Sequence, residues 1–217
     1  MGSSHAVPAH RAGSTAIIVV LAALLVVMLA AAAPAMAAAA KVKSGSSQLL
    51  VDEKMVTELQ SKHTSINAIA PMKYKPLWTS TGMLKWWFRA PMKTGGTYDY
   101  ATKTGMLYHN GSMRWIEASG ATHYQFQMQG IRILALASNK YEMSVTYTVT
   151  PGVYPRITFA QATNTPSFTK NGKAIKIGGI QFKLTDAGEA ALNTALHETG
   201  FSKTLVLFDT NVMFNLK

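Results

Sequence analysis

The chain contains no cysteine. That excludes disulfide staples, thiolate metal sites and cysteine nucleophiles, together with any lipid anchor built on an acylated cysteine. Acidic residues are scarce: 10 Asp and Glu stand against 21 Lys and Arg in 217 residues, a formal net charge of +11. Only Asp52 and Glu53 are adjacent, so no local carboxylate pair points to glycoside hydrolysis. Histidine is sparse as well. Beyond the N-terminal region there are only His63, His109, His123 and His197, with no H-E-x-x-H, H-x-H, G-x-S-x-G or phosphate-cradling glycine loop among them. His197 closes a helical pattern, where a histidine is ordinary capping chemistry. The expectation is a protein that is not an enzyme and has no locally spaced metal site. A Lys/Arg run and a glycine–aromatic RNA-binding motif are also missing, so nucleic acid is not an expected partner.

What is present begins with an uncharged run of apolar residues and proline from Ala16 to Ala40. A polar leader, Met1 to Ser14, carries Arg11. Ala16 to Ala30 has the length of a signal-peptide core, Pro34 breaks the helix, and Ala35-Met36-Ala37 has the small-x-small form of a cleavage site. The reading is a signal peptide over 1–37, cut near Ala37, and an exported, extracellular or cell-surface protein. The alternative is an uncleaved membrane anchor, for which the run is long enough if Pro34 is tolerated. Cleavage removes Arg11 and leaves 20 basic against 10 acidic residues, a net +10. Such a domain is attracted to anionic envelope polymer or to an anionic membrane surface; a merely solvated basic surface is the bland alternative.

Residues 38–47 read as a small, polar linker and 48–76 as an N-terminal helix with a connector. Ser47 is the expected cap of a helix over 48–63, and Pro71 and Pro76 end regular structure. From Leu77 to the end the hydrophobic period switches to two, which predicts a β domain over 77–217. Asn110-Gly111 and Asn171-Gly172 predict tight hairpins, since both central residues must accept positive φ. Gly130 and Gly178-Gly179 predict bulges. In the first hairpin Met106, Tyr108, Met113 and Trp115 form the expected core face, opposite Leu107, His109, Ser112, Arg114 and Ile116. Asp186, with Glu189, predicts a capped helix to Thr199 ending at Gly200, and its alanines form a face able to lie close to a sheet. A strand pair, 204–208 and 212–216, closes the chain. The fold class is mainly β: an antiparallel sandwich or partly open barrel of eight to ten strands, with one helix near each end.

Leu84-Lys85-Trp86-Trp87-Phe88-Arg89 is the most informative segment for binding. On a strand, Trp86 and Phe88 share one face, while Lys85, Trp87 and Arg89 share the other. With the first pair in the core, Trp87 stands between two cations on an outer face, suited to stacking on a sugar, a porphyrin or a partner protein. Burial on both sides, with Lys85 and Arg89 snorkelling, is the competing reading. Tyr108, His109 and Arg114 complete the candidate ligand-binding set.

The stretch Gly95-Gly96-Thr97-Tyr98-Asp99-Tyr100-Ala101-Thr102-Lys103-Thr104-Gly105, followed by Gly111-Ser112-Met113-Arg114-Trp115, resembles the HtaA-like domain of exported actinobacterial proteins. Leu84 to Arg89 and Leu184-Thr185-Asp186-Ala187-Gly188 resemble its flanking segments, so the resemblance spans roughly Leu77 to Leu216. It implies an exported, non-enzymatic binding domain, with haem or another planar or apolar molecule as ligand. Haem-binding members are understood to place a Tyr after the Phe-Arg pair and a His after the G-S-V-x-F strand; here Pro91 and Ala118 stand there, and Tyr108, His109 or Tyr98 are the available substitutes. The alternative function is a structural or interaction protein of the cell envelope, held by its charge or by self-assembly through strand edges.

Overall fold

The computed structural model describes residues 39–78, 82, 84–119, 121–149, 152–197 and 201–217. The expected signal peptide or anchor therefore lies outside the described residues, as does Gly200, but the helix expected to run to Thr199 ends earlier, at Ala195, with Leu196 as its C-cap. Ala39–Lys217 forms a compact unit. The buried core of the described residues, from Val42 to Leu216, is drawn from within it, so this unit carries its own core and folds as a domain.

The first departure from expectation lies at its start. The stretch 38–47, expected as a linker, and the first residues of the expected helix form strand β1 (Ala40–Val51). Ser47, Leu49 and Val51 are buried at every second position, and that period-two burial is what a helical reading of 48–63 merges with the helix behind it. Asp52, not Ser47, caps helix α1 (Glu53–Ser61) by accepting from the Lys54 N–H at 3.0 Å. Met55, Val56 and Leu59 form the buried stripe of α1.

Strands β2 (Thr64–Ile69) and β3 (Lys73–Trp78) occupy the expected connector. Along the strand path β3 is terminal and pairs only with β4 (Leu84–Pro91). An edge strand tolerates Pro76, whose missing N–H breaks no ladder there, and Lys73 and Lys75 blunt the edge. Then follow β5 (Thr97–Asp99), β6 (Thr104–Tyr108), β7 (Ser112–Ser119), β8 (Thr122–Leu136), β9 (Lys140–Val149), β10 (Gly152–Ala162), β11 (Ser167–Asn171), β12 (Ala174–Leu184), helix α2 (Asp186–Ala195) and β13 (Val206–Leu216). All 13 strands are antiparallel members of one sheet, with the order β11-β12-β10-β9-β8-β6-β5-β1-β4-β3 along its main path. The sheet curls until β1 pairs with β13 on one side and with β4 and β5 on the other. This is the mainly β, antiparallel, sandwich-like architecture expected, with two α-helices among the described residues and with thirteen strands in place of the expected eight to ten.

Asn110-Gly111 turns the chain but does not make a hairpin. Gly111 has φ +90°, yet β6 and β7 pair with successive stretches of β8 and not with each other. The His109 N–H donates to the Ile131 carbonyl and the Asn110 N–H to that of Pro91, so the two residues bridge to other strands. The face assignment changes as a result. Leu107 and His109 point inward and are buried, alongside Met113 and Trp115, while Met106 and Tyr108 are half-buried. Asn171-Gly172 is a true hairpin, pairing Asn171 with Ala174. Register shifts at Gln129/Arg132 and Ile177/Ile180 place bulges at Gly130 and Gly178-Gly179.

Helix α2 is capped by Thr185, whose hydroxyl accepts from the Gly188 N–H at 3.1 Å, one residue earlier than expected. A Cβ on Gly188 would lie 2.0 Å from the Phe159 carbonyl oxygen, so glycine is what lets α2 rest on β10. The expected closing pair is one strand, β13, running through Asp209 to Asn211 without a turn.

Candidate functional site

The six ligand-binding residues read from the sequence fall in four different places. Lys85, Trp87 and Arg89 lie on the outer face of β4, with Trp86 and Phe88 buried behind them. Lys85 Nζ is 2.8 Å from Glu53 Oε1, so it is tied to the first residue of α1. Trp87 is half-buried, in register with Leu50 of β1 and Lys75 of β3. Arg89 is exposed and donates from Nε to Ser46 Oγ at 3.2 Å. Tyr108 is half-buried beneath the Arg132 guanidinium, 5.0 Å from its ring centroid. Arg114 donates from Nη2 to Gln127 Oε1 at 3.3 Å on the β7–β8 surface. His109 is sealed in the core, 2% exposed, with Nε2 2.8 Å from Ser47 Oγ. Burial pushes its pKa down to about 4, so the imidazole is neutral.

Of these six, Arg89 borders a groove in the described surface. Its volume is about 530 Å³, and its walls come from Ser44, Gly45 and Ser46 of β1, Thr169 and Asn171 of β11, Lys176 of β12 and Met213 and Asn215 of β13. A smaller hollow of about 180 Å³ shares Gly45, Ser46 and Arg89 and extends to Pro71, Lys73 and Pro91. The register explains this juxtaposition. Ser46 pairs with Pro91 on one side and with Met213 on the other, and Met213 pairs with Lys176. Directly opposed residues share a face, so one row, Pro91-Ser46-Met213-Lys176, crosses four strands. At its centre Gly45 admits no side chain: a Cβ would lie 2.5 Å from the Met213 carbonyl oxygen and 2.7 Å from Met92 Sδ.

The groove is electropositive. Arg89 and Lys176 border it, Lys73 borders the adjoining hollow, and no carboxylate lines either one among the described residues. Serine, threonine and asparagine supply the remaining polar groups, a set suited to an anionic, hydrogen-bonding ligand. Sequence reasoning missed Ser44, Ser46, Lys176 and Asn215. The available signal was the run of small polar residues in 44–47, which read as part of a linker.

No protein-family model and no curated protein matches the chain. Two solved structures match in fold. The C-terminal domain of HtaA from Corynebacterium glutamicum superposes with a TM-score of 0.57, at 14% identity, over 82% of this chain and 99% of that one. The N-terminal domain of the same protein gives a TM-score of 0.51, at 16% identity, over 81% and 99%. The fold is HtaA-like.

Haem, the ligand the resemblance implies, needs a donor to its iron. Protein ligands to haem iron are imidazole, thiolate, thioether or phenolate. The groove offers only the Met213 thioether among its described lining residues. Pro91 stands at its edge with no ligand atom, and His109 is occupied by Ser47 behind the sheet. Tyr98 is fully buried, and Ala118 lies on β7 opposite His123. Tyr108 lies beneath the Arg132 guanidinium and outside the groove's described lining, so none of these residues offers haem iron a ligand in the groove. Among the described residues no group of three or more His, Asp or Glu is placed to hold a metal ion.

Proposed function

We propose that this HtaA-like domain is an exported, non-enzymatic binding module whose groove between β4, β1, β13 and β12 takes an anionic ligand. The observation that carries this reading is the pairing of Arg89 and Lys176 across a groove without a carboxylate in its described lining. Trp87, two residues from Arg89 on the same strand face, adds a ring for the planar or sugar-like body of such a ligand. The ligand class is a saccharide or other planar scaffold bearing carboxylate, phosphate or sulfate groups. Calorimetric titration of residues 39–217 with sulfated and with neutral dextran tests it. Binding of the sulfated polymer alone is expected; equal binding of both, or of neither, contradicts the reading.

A second reading, retention at an anionic cell-envelope surface, is favoured by one end of the sheet. Lys41 and Lys43 of β1, Lys103 of the β5–β6 turn, Lys170 and Lys173 of the β11–β12 hairpin, and Lys217 gather there. Lys170 Nζ sits 3.8 Å from the Tyr100 ring centroid and Lys103 Nζ 5.4 Å from that of Phe168. The nearby carboxylate, Asp99, is buried and accepts from the Ala101 N–H. Salt-sensitive sedimentation with anionic wall polymer is expected, and is lost when these lysines become glutamine.

A further inference from the structure

A second cationic centre is built on other strands. Tyr108 of β6 opposes Arg132 of β8, and Arg132 opposes Ser144 of β9, so the three share one face. Arg156 of β10 reaches the same place and donates from Nη1 to Ser144 Oγ at 3.0 Å. The Gly130 bulge leaves room for it: glycine there has φ +53°, and a Cβ would lie 2.9 Å from Arg156 Nη2. Arg132 is held from the other side by the Tyr108 ring. Both arginines are partly buried residues, and neither forms an ion pair among the described residues. Glu142, two residues from Ser144 on β9, pairs with neither. Burial and the neighbouring Arg132 both lower the pKa of Arg156, the mark of two cations that repel.

Two arginines on flexible stems separate unless something holds them together. Here a ring, a serine hydroxyl and a glycine bulge position them, and their mutual repulsion is a cost to the folded chain without a neutralising group. We infer that Arg132 and Arg156 form a binding site for a phosphoryl group. Two guanidinium forks match the charge of a tetrahedral dianion, whereas a carboxylate would leave one cation uncompensated.

The test is thermal unfolding of residues 39–217 with inorganic phosphate, at ionic strength fixed by chloride. A saturable rise in Tm is expected. Arg132→Gln should unfold no lower than the parent without phosphate, because it relieves repulsion, and should lose roughly tenfold or more in phosphate affinity. Arg156→Gln should lose affinity likewise, and Lys54→Gln, at an exposed position of α1 outside both cationic sites, should respond as the parent does. Vesicles bearing phosphatidylglycerol form a second arm that distinguishes a lipid headgroup from a soluble phosphate; Arg132-dependent binding in either arm supports the assignment. No saturable response in either arm, or an undiminished response in both arginine variants, overturns it.

Discussion

The Nε2 of His109 lies 2.8 Å from the Ser47 hydroxyl, joining the end of β6 to the middle of β1 inside the core. Burial holds the folded-state pKa near 4, below the ordinary 6.5. Folding therefore favours the neutral ring. Its stabilising contribution is complete above about pH 6.5 and is lost as pH falls toward 4, amounting to about 3 kcal/mol. Denaturant unfolding between pH 7 and pH 4 should show stability falling in that window, with a shallower fall in His109→Gln. An equal slope in both proteins removes His109 as the titrating group.

Gly188 marks the closest approach of α2 to the sheet. Alanine is the better helix former by about 1 kcal/mol, yet its Cβ would meet the Phe159 carbonyl at 2.0 Å. Gly188→Ala is expected to destabilise by about 1–3 kcal/mol in urea unfolding, as overpacking does. A neutral or stabilising result would mean that α2 moves freely off β10.

Lys85 and Arg89 share a strand face but are assigned different work. Lys85 pairs with a partly exposed Glu53, an interaction worth about 0–1 kcal/mol. Lys85→Ala should leave groove binding within about twofold and stability within about 1 kcal/mol. A large loss of binding would extend the site along β4 to α1.

Haemin titrated into residues 39–217 should give no shifted Soret band of an iron-ligated species. The described groove presents neither imidazole nor phenol, and His109 is held behind β1. A saturable Soret shift abolished by His109→Ala would show that the core opens to admit the ring.

Much of the fold was legible because period-two burial dominates β4, β8, β9 and β12, and glycines mark the bulges and the Asn171-Gly172 hairpin. The N-terminal error has a physical origin. Gln48 to Val51 carry apolar residues at spacings that fit either period, and the deciding contacts come from β13 and β4, remote in sequence. Asn110-Gly111 misled for a similar reason: the local turn chemistry is correct, but β8 is long enough to receive both flanking strands end to end. Trp87 and Arg89 were found because one strand carries both. The rest of the groove was not legible, since Ser46, Lys176 and Asn215 meet only through the pairing of β1, β13 and β12.

The central claim is that Arg89 and Lys176 together hold an anionic ligand in the groove. Calorimetric titration of sulfated dextran into the parent domain, Arg89→Gln, Lys176→Gln and the double variant tests it most directly. Each single substitution should weaken binding by about 1.5–3 kcal/mol, the value of a charge-assisted hydrogen bond, with the double variant close to the neutral-dextran baseline. Binding that persists undiminished in the double variant would contradict the assignment.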